Sequence, residues 1–325
     1  TNWRWQQKLA LNQELYFSGS PPGAVPRAPY RFVPGVETRL TSDQLDYRPL
    51  GASAAVVAWE VAGSTEGNVA LDHDGWFSFH TFVDLQSDSV AMSGNAIGWL
   101  SGTGVEAEVH LWKEGVNFTL TDNSHEESEL AVTGSQLLWQ RNGEIVHFTG
   151  QFAYDVTSDI ILDERPRAWG DDAVWVRHDG AAGSGNIVHM DLTNGIQTHL
   201  TKDSVDDRGV EIGGFGAAWM RKELTGKVVL TLWDREDVSL APAQPFDTIE
   251  EIAVGDHFVA WIGLQSGNRS LYVWDGTIAQ TLDEHLPNKT QLSIYKDRLA
   301  WIAQDGPHLA SWVCTSLVDA DGDGS

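Results

Sequence analysis

The chain has 325 residues, 42% of them hydrophobic, and its formal net charge is −25. A surface this acidic repels phosphate groups and argues against nucleic-acid binding, and no apolar run reaches the roughly 18 residues needed for membrane insertion. The single cysteine, Cys314, excludes an internal disulfide framework. With 15 Trp and 11 Phe the chain has ample material for a core. The acidity is typical of solubility in a saline extracellular or cell-surface setting, with the periplasm as an alternative.

Residues 1–35 differ in character from the rest of the chain. Residues 1–17 are rich in aromatic and aliphatic side chains, and residues 18–35 contain five prolines. The sequence predicts an N-terminal aromatic arm followed by an extended Pro-rich linker. Two alternatives stay open for the arm: residues 1–17 pack across their own domain, or they contact another protein.

A small or aliphatic residue followed by Trp recurs every 36 to 44 residues along the remaining chain. The seven pairs are Ala58-Trp59, Gly98-Trp99, Leu138-Trp139, Val174-Trp175, Ala218-Trp219, Ala260-Trp261 and Ala300-Trp301. A fixed period in this range is the signature of a repeat architecture such as a propeller. We therefore predict one large repeat domain over residues 36–317.

Each repeat contains four segments with strand character. A short alternating segment such as Glu129–Val132 precedes a turn, and the Trp segment that follows is apolar at consecutive positions, which favours a strand buried on both faces. A Gly-rich hairpin such as Asn142-Gly143 leads to a third strand, as in Glu144–Phe148. The fourth segment ends in Leu-Thr, as at Leu120-Thr121. Four antiparallel strands in about forty residues describe a propeller blade.

The last repeat lacks an evident fourth strand, whereas Val36–Thr41 has a fourth-strand sequence with no blade before it. Pairing the two would close the ring and remove exposed sheet edges. The predicted fold is therefore all-β: a seven-bladed β-propeller of four-stranded antiparallel blades, with the last blade closed by the N-terminal strand.

The repeats over residues 36 to 313 resemble the bacterial TolB-like propellers, in which short blades carry an apolar-Trp strand, an Asp/Asn-Gly hairpin and a third strand ending in an aromatic residue. The resemblance implies the propeller fold and a binding function rather than a catalytic activity.

Residues 318–325 resemble the opening of a calcium loop of the thrombospondin type 3 or dockerin kind. Asp319, Asp321 and Asp323 alternate with small residues, so that a turn would direct several carboxylate oxygens at one cation. The resemblance implies calcium as the metal and a spacer or anchoring tail behind the propeller; an acidic terminus without a metal is the alternative.

The loop Asp72-His73-Asp74-Gly75-Trp76 is the richest candidate for ligand binding. Two carboxylates and an imidazole, with Trp76 as an aromatic platform, would suit a cation or a sugar ring. Loops on rigid scaffolds commonly carry function. A solvated hairpin with a packed Trp is the structural alternative.

No nucleophile elbow, zinc-protease motif, phosphate loop or dinucleotide fingerprint occurs. The sequence therefore favours a secreted or cell-surface binding module for a protein or glycan ligand over an enzyme. One alternative is a carbohydrate-active lyase or hydrolase acting in the central funnel. A second is a copper or other metal-binding secreted protein that uses His110 and Trp112, because the His-x-Trp pair resembles that of secreted methanotroph copper proteins.

Overall fold

The protein is described by a computed structural model. It covers residues 4–5, 10–11, 15–20, 28–33, 36–42, 45–53, 55–62, 64–65, 67–73, 76–180, 183–241, 245–283, 292–296, 298–302, 307–313 and 316–319. Within these ranges the chain is all-β, with a 3-10 turn at Gly104–Glu106 and a further 3-10 residue at Gly183. No helix that could cross a membrane is found in these ranges.

Eight antiparallel sheets follow one another along the chain. The N-terminal sheet contains β1 (Arg4–Trp5), β2 (Ala10–Leu11), β3 (Leu15–Ser20), β4 (Ala28–Val33) and β5 (Val36–Arg39). Seven four-stranded sheets, here sheets 1 to 7, follow it.

The strands of sheets 1 to 4 are β6 (Asp46–Ala52), β7 (Val57–Ala62), β8 (Val69–His73), β9 (Trp76–His80); β10 (Leu85–Ser93), β11 (Ala96–Ser101), β12 (Glu108–Lys113), β13 (Val116–Thr119); β14 (Glu127–Thr133), β15 (Gln136–Arg141), β16 (Glu144–Phe148), β17 (Ala153–Asp155); and β18 (Asp163–Trp169), β19 (Asp172–Arg177), β20 (Asn186–Asp191), β21 (Ile196–His199). The strands of sheets 5 to 7 are β22 (Asp206–Ile212), β23 (Ala217–Lys222), β24 (Val228–Trp233), β25 (Val238–Leu240); β26 (Thr248–Val254), β27 (Val259–Gln265), β28 (Asn268–Trp274), β29 (Ala279–Asp283); and β30 (Leu292–Tyr295), β31 (Arg298–Ile302), β32 (Pro307–Val313), β33 (Ser316–Asp319).

This architecture is a β-propeller. Each of the seven sheets is an up-and-down meander whose strands pair in chain order, as in a propeller blade. The first strand of each sheet contacts the first strand of the next, from β6 through β30. The N-terminal sheet contacts both ends of this series, because β2 touches β6 and β30.

The seven repeat tryptophans all lie on the second strand of a sheet, as predicted, and each is at most 2% exposed. Most of them pack into a core shared with the preceding sheet; Trp139, for example, lies in one cluster with Val109 and Leu111. Gly98 shows why a small residue precedes some of them. A Cβ at Gly98 would lie 2.8 Å from a Leu130 methyl carbon of the next sheet. The recurring residue-Trp pair thus reflects how neighbouring sheets pack against each other.

The predicted closure is wrong in its pairing. Strand β5 pairs with β4, and the last sheet obtains its fourth strand, β33, from residues immediately after β32. Two residues separate the strands of each of these pairs in sequence. Closing so short a loop costs less chain entropy than joining the two ends of the chain. The predicted count of seven is not confirmed either, since an eighth sheet precedes the seven Trp-bearing ones.

Candidate functional site

The first strands of sheets 2 to 5 enclose a cavity of about 540 Å³. We call it the central cavity. Its lining residues are Ser89–Met92, Leu100, Ser128–Val132, Arg167, Ala168, Glu211 and Ile212. Because side chains alternate along a strand, every second residue of these inner strands faces the cavity or the neighbouring sheet. Four consecutive sheets therefore contribute to one concave site.

A β-bulge interrupts each of these inner strands at a similar position. The pairing with the Trp strand shifts between Ser128 and Ala131 in β14 and between Glu164 and Arg167 in β18. The bulges hold Glu129 and Arg165 at φ values of 50° and 57°. Left-handed backbone costs a non-glycine residue about 1 kcal/mol or more. A register shift also occurs in β6 and β26, which do not line the cavity, so the bulge is a feature of the repeat.

Arg167 is the charged centre of the cavity. Its Nε donates to Glu211 Oε1 at 2.9 Å, and its Nη1 donates to the carbonyl of Pro166 at 3.1 Å. Glu129 lies farther away, with 3.9 Å between its Oε2 and Arg167 Nη1. The side chains of all three residues remain 29–39% exposed. Ligand groups can therefore reach them from the cavity.

Burial perturbs the carboxyl groups on this part of the inner strands. Burial raises the pKa of Glu211, and Arg167 opposes that shift. In the next inner strand, burial raises the pKa of Glu251 to about 7, although the Leu292 N–H donates to it at 3.0 Å. Of these two residues only Glu211 lines the cavity, and a perturbed carboxyl group in a cleft is a common property of functional sites.

Several of the other lining residues are aliphatic. They include Val90, Ala91, Met92 and Leu130, which are partly buried against the cores of sheets 1 to 3. The lining given above contains no aromatic residue and no histidine. The cavity lining thus contains both apolar and charged residues, a combination typical of ligand pockets.

A second type of charged group lies at the far end of the Trp strands and recurs from sheet to sheet. In sheet 4, Asp163 is fully buried, and it accepts from Trp175 Nε1 at 2.9 Å and from Arg177 Nη1 at 2.7 Å. Arg177 also donates to Asp159 at 2.5 Å. Sheet 5 repeats the arrangement, with Arg221 bonded to Asp207 and Asp203. We call these groups the outer clusters.

Sheet 3 contains a related outer cluster, in which Arg141 donates to Glu127 at 3.1 Å and to Asp155 at 3.2 Å. The Leu-Thr signature belongs to the same architecture. The hydroxyl oxygens of Thr121 and Thr201 accept from the N–H groups of Val109 and Ile187, the second residues of the third strands, at 2.8 Å. Thr157 does the same in a Val-Thr pair. This repeated network ties the fourth strand to the third.

One outer cluster has carboxylates close enough to share a cation. Ligand oxygens of Glu144, Asp159 and Asp163 lie within 4.8 Å of one another. The guanidinium of Arg177 already bonds two of these carboxylates. It supplies the positive charge that a metal would supply, so the cluster is best explained as structural.

The described residues of the predicted Asp72–Trp76 loop lie where β8 turns into β9, and His73 pairs with Trp76 there. Asp72 is buried within β8, opposite Val57, whereas His73 is exposed at the end of the strand. Trp76 opens β9 and is 82% exposed, so the expected packed Trp is absent here. Asp74 lies outside the described residues. Ligand binding by this loop stays a prediction.

The predicted calcium ligands fall largely outside the described residues. Asp319 is the last residue of β33, paired with Ala310, and Asp321 and Asp323 are not described. Calcium binding by the tail therefore stays a prediction.

His110 and Trp112 lie in the core between sheets 1 and 2. His110 stacks on Trp99 with ring centroids 5.0 Å apart, and its two ring nitrogens contact the hydroxyls of Ser101 and Thr119 at 2.8 and 3.3 Å. Burial lowers the pKa of His110. No group of three potential metal ligands that includes His110 occurs among the described residues. This environment is that of a structural histidine.

Sequence reasoning did not single out Arg167 or Glu211. The sequence does contain one indication of them. In two repeats a charged residue stands at a first-strand position that is apolar in neighbouring repeats. Ala91, Ala131 and Ala253 pair with the residue before the repeat Trp, and in sheets 4 and 5 that partner is Arg167 or Glu211.

No protein-family model matches this chain, and no curated protein matches it. Solved structures do resemble its fold. A prolyl endopeptidase is similar with a TM-score of 0.58 at 13% identity, over 99% of this chain and 54% of that one. A puromycin-hydrolyzing peptidase of Mycobacterium tuberculosis gives 0.57 at 14%, over 92% and 58%. The computationally designed Ika8 protein gives 0.61 at 12%, over 95% and 98%.

These likenesses agree with the β-propeller architecture, and at such low identity they carry the fold alone. The chain spans 54% and 58% of the two peptidases it resembles.

Proposed function

We propose that this protein is a binding module that receives a segment of a protein ligand in the central cavity. The observation that carries the proposal is the convergence of four inner strands on one cavity with aliphatic lining residues and exposed charged groups. Rigid sheets hold these groups in place before a ligand arrives, which reduces the entropy cost of binding.

A protein ligand suits the cavity better than a glycan. Sugar rings are usually bound by stacking on aromatic side chains, and the described lining offers aliphatic residues instead. Aliphatic walls with a few charged groups suit extended peptides, whose side chains occupy pockets while the backbone hydrogen-bonds. The absence of histidine from the same lining also gives the lyase or hydrolase alternative little support.

The structural likeness to two peptidases favours a second candidate function. Nearly the whole chain superposes on just over half of each of these proteins. A propeller that admits peptides to a separate catalytic unit would use the same cavity for the same class of ligand. Under this alternative the cavity would guide substrate rather than retain a partner.

Three further expectations complete the proposal. The seven Trp-bearing sheets act as blades, and the N-terminal sheet fills the place between the last and the first. The protein works outside the cell or at its surface, and the tail at Asp319, Asp321 and Asp323 binds calcium. These expectations come from the sequence patterns, and calcium binding would be measured by titration of the metal into chelator-treated protein.

The experiment is selection of random linear peptides on the immobilised protein, followed by affinity measurement with Ser89→Trp. Ser89 lines the cavity, so an indole there should fill it and weaken the selected peptides by about tenfold or more. Thr198→Trp on the exposed strand β21 is the matched control and should leave affinity unchanged. Selected peptides that bind both variants equally well would contradict the proposal, as would a selection that yields no binding peptide.

A further inference from the structure

We infer that the central cavity selects a peptide segment that presents a Lys or Arg side chain next to aliphatic residues. This inference rests on the proposed function and names the ligand chemistry of the same site. Three observations support it. The charged groups of the cavity differ in whether they already have a hydrogen-bonded partner, aliphatic residues lie in the same lining, and the whole protein is strongly acidic.

Arg167 and Glu211 form an ion pair with each other in the cavity. The guanidinium uses Nε for Glu211 at 2.9 Å and Nη1 for the Pro166 carbonyl at 3.1 Å. This charge-assisted bond between Nε and Oε1 holds the Glu211 carboxylate directly beside the guanidinium. An anionic ligand approaching Arg167 would also meet the carboxylates of Glu211 and Glu129, and repulsion between like charges disfavours anions at this position.

Glu129 is the least committed charged group of the cavity. Glu129 Oε2 lies 3.9 Å from Arg167 Nη1, which is beyond hydrogen-bonding distance. Its carboxylate therefore keeps most of its capacity to accept hydrogen bonds from a ligand. An incoming ammonium or guanidinium would bond Glu129 without displacing an internal partner.

The aliphatic part of the lining suits the stem of a basic side chain. Leu130, Val90 and Met92 belong to the same cavity lining as Glu129, the last two on the adjacent inner strand. Long basic side chains bury their methylene groups on such surfaces while the charged end reaches a polar partner. Aliphatic neighbours of the basic residue would extend this contact across the cavity.

The charge of the whole protein acts in the same direction. With a net charge of −25 the molecule attracts cations and repels anions over long range. Clefts with walls of low dielectric constant focus such a field and raise the rate at which oppositely charged ligands associate. The electrostatic field of the protein and the groups in the cavity thus both favour a positively charged ligand.

The test uses three fluorescein-labelled peptides with identical Leu and Val residues and a central Lys, Gln or Glu, measured by fluorescence anisotropy. We expect the Lys peptide to bind about tenfold more tightly than the Glu peptide, and the difference to shrink at high salt. Glu129→Gln should weaken the Lys peptide several-fold, by about 3 to 10 times, and leave the Gln peptide unchanged. Glu236→Gln, an equal change of charge on an exposed turn, is the control.

The outcomes separate the inference from the proposed function. If all three peptides bind equally and Ser89→Trp abolishes binding, the cavity is a peptide site without the inferred selectivity, and the inference is overturned. If none of them binds and random-peptide selection fails as well, the proposed function is overturned together with it. Melting temperatures equal to that of the unmodified protein would show that each variant is folded.

Discussion

The outer cluster of sheet 4 and the central cavity contain the same types of charged residue, arranged in opposite ways. Asp163 in the outer cluster is fully buried and bonded by Trp175 and Arg177. Glu129 in the cavity is partly exposed, and its carboxylate lies 3.9 Å from the Arg167 guanidinium. The first arrangement stabilises the sheet, and the second leaves bonding capacity for a ligand.

The two regions also differ in whether their charged residues recur from sheet to sheet. Arg two residues after the Trp occurs as Arg141, Arg177 and Arg221 in three successive sheets, each bonded to a buried carboxylate. Arg167 and Glu211 occupy positions that are Ala in sheets 2, 3 and 6, Gly in sheet 1 and Ser in sheet 7. In a repeat protein, groups that recur build the repeat, whereas groups that break the pattern are the better candidates for function.

The largest expected effect is the difference between Arg177→Met and Arg167→Met. Removing Arg177 leaves Asp163 buried without its cation, which should lower the free energy of unfolding by about 3 kcal/mol. Removing Arg167 should cost less than about 1 kcal/mol, because its partners remain in contact with solvent. Urea denaturation at neutral pH measures both. Equal losses for the two variants would contradict the distinction between the regions.

The pH dependence of stability tests the outer clusters next. Burial raises the pKa of Asp163 and of Asp207 to about 6, with Arg177 and Arg221 opposing the shift. A carboxyl with a raised pKa in the folded state contributes stability that is complete below its unfolded pKa, near 4, and is lost as the pH rises through about 6. Each group should account for about 2–3 kcal/mol of that loss.

The double variant Asp163→Asn and Asp207→Asn should flatten this dependence between about pH 4 and pH 7, since neither amide titrates. Urea midpoints measured across that range for both proteins provide the comparison. Parallel curves would show that these carboxyl groups are not the source of the slope.

The hydroxyls that tie the strands together should each contribute about 1 kcal/mol. Thr157→Val removes the acceptor for the Ile145 N–H, a buried bond of 2.9 Å. Thr121→Val and Thr201→Val should cost similar amounts, because the same bond recurs there. Thr198→Val on an exposed strand is the control and should change stability little. Unequal losses would mean that the repeats are not energetically equivalent.

The smallest expected change in stability has the opposite sign. Glu129→Gly should raise the free energy of unfolding by about 0.5–1 kcal/mol, because glycine adopts the observed φ of 50° without steric cost. The same change should weaken the Lys peptide. Lys296→Gly, at a φ of 52° in a turn outside the cavity, should stabilise without affecting binding. A destabilised Glu129→Gly protein would contradict the strain argument.

The Trp period predicted the seven four-stranded sheets that carry the repeat Trp, because one buried Trp per sheet leaves a fixed spacing. The third strand Glu144–Phe148 agrees with its predicted range, whereas β14 extends beyond the predicted Glu129–Val132 at both ends. The pairing of Val36–Arg39 was missed because fourth-strand sequences are short and alike, so pattern alone does not choose between a local partner and a distant one.

The central cavity was missed for a different reason. Arg167 and Glu211 are single charged residues in separate repeats, 44 residues apart, and only the bulged register of the inner strands brings their side chains together. The Asp72 loop attracted attention because its polar residues are adjacent in sequence. Adjacency along a strand sends successive side chains to opposite faces, so Asp72 is buried whereas His73 is exposed.

The most direct test of the central claim is to map where a peptide binds. A Lys-containing peptide selected on the protein would carry a photoreactive benzophenone, and cross-linked residues would be identified by mass spectrometry. The proposed cavity predicts cross-links to residues 89–92 and 128–132. Cross-links confined to the outer fourth strands or to the exposed Trp76 hairpin would contradict it.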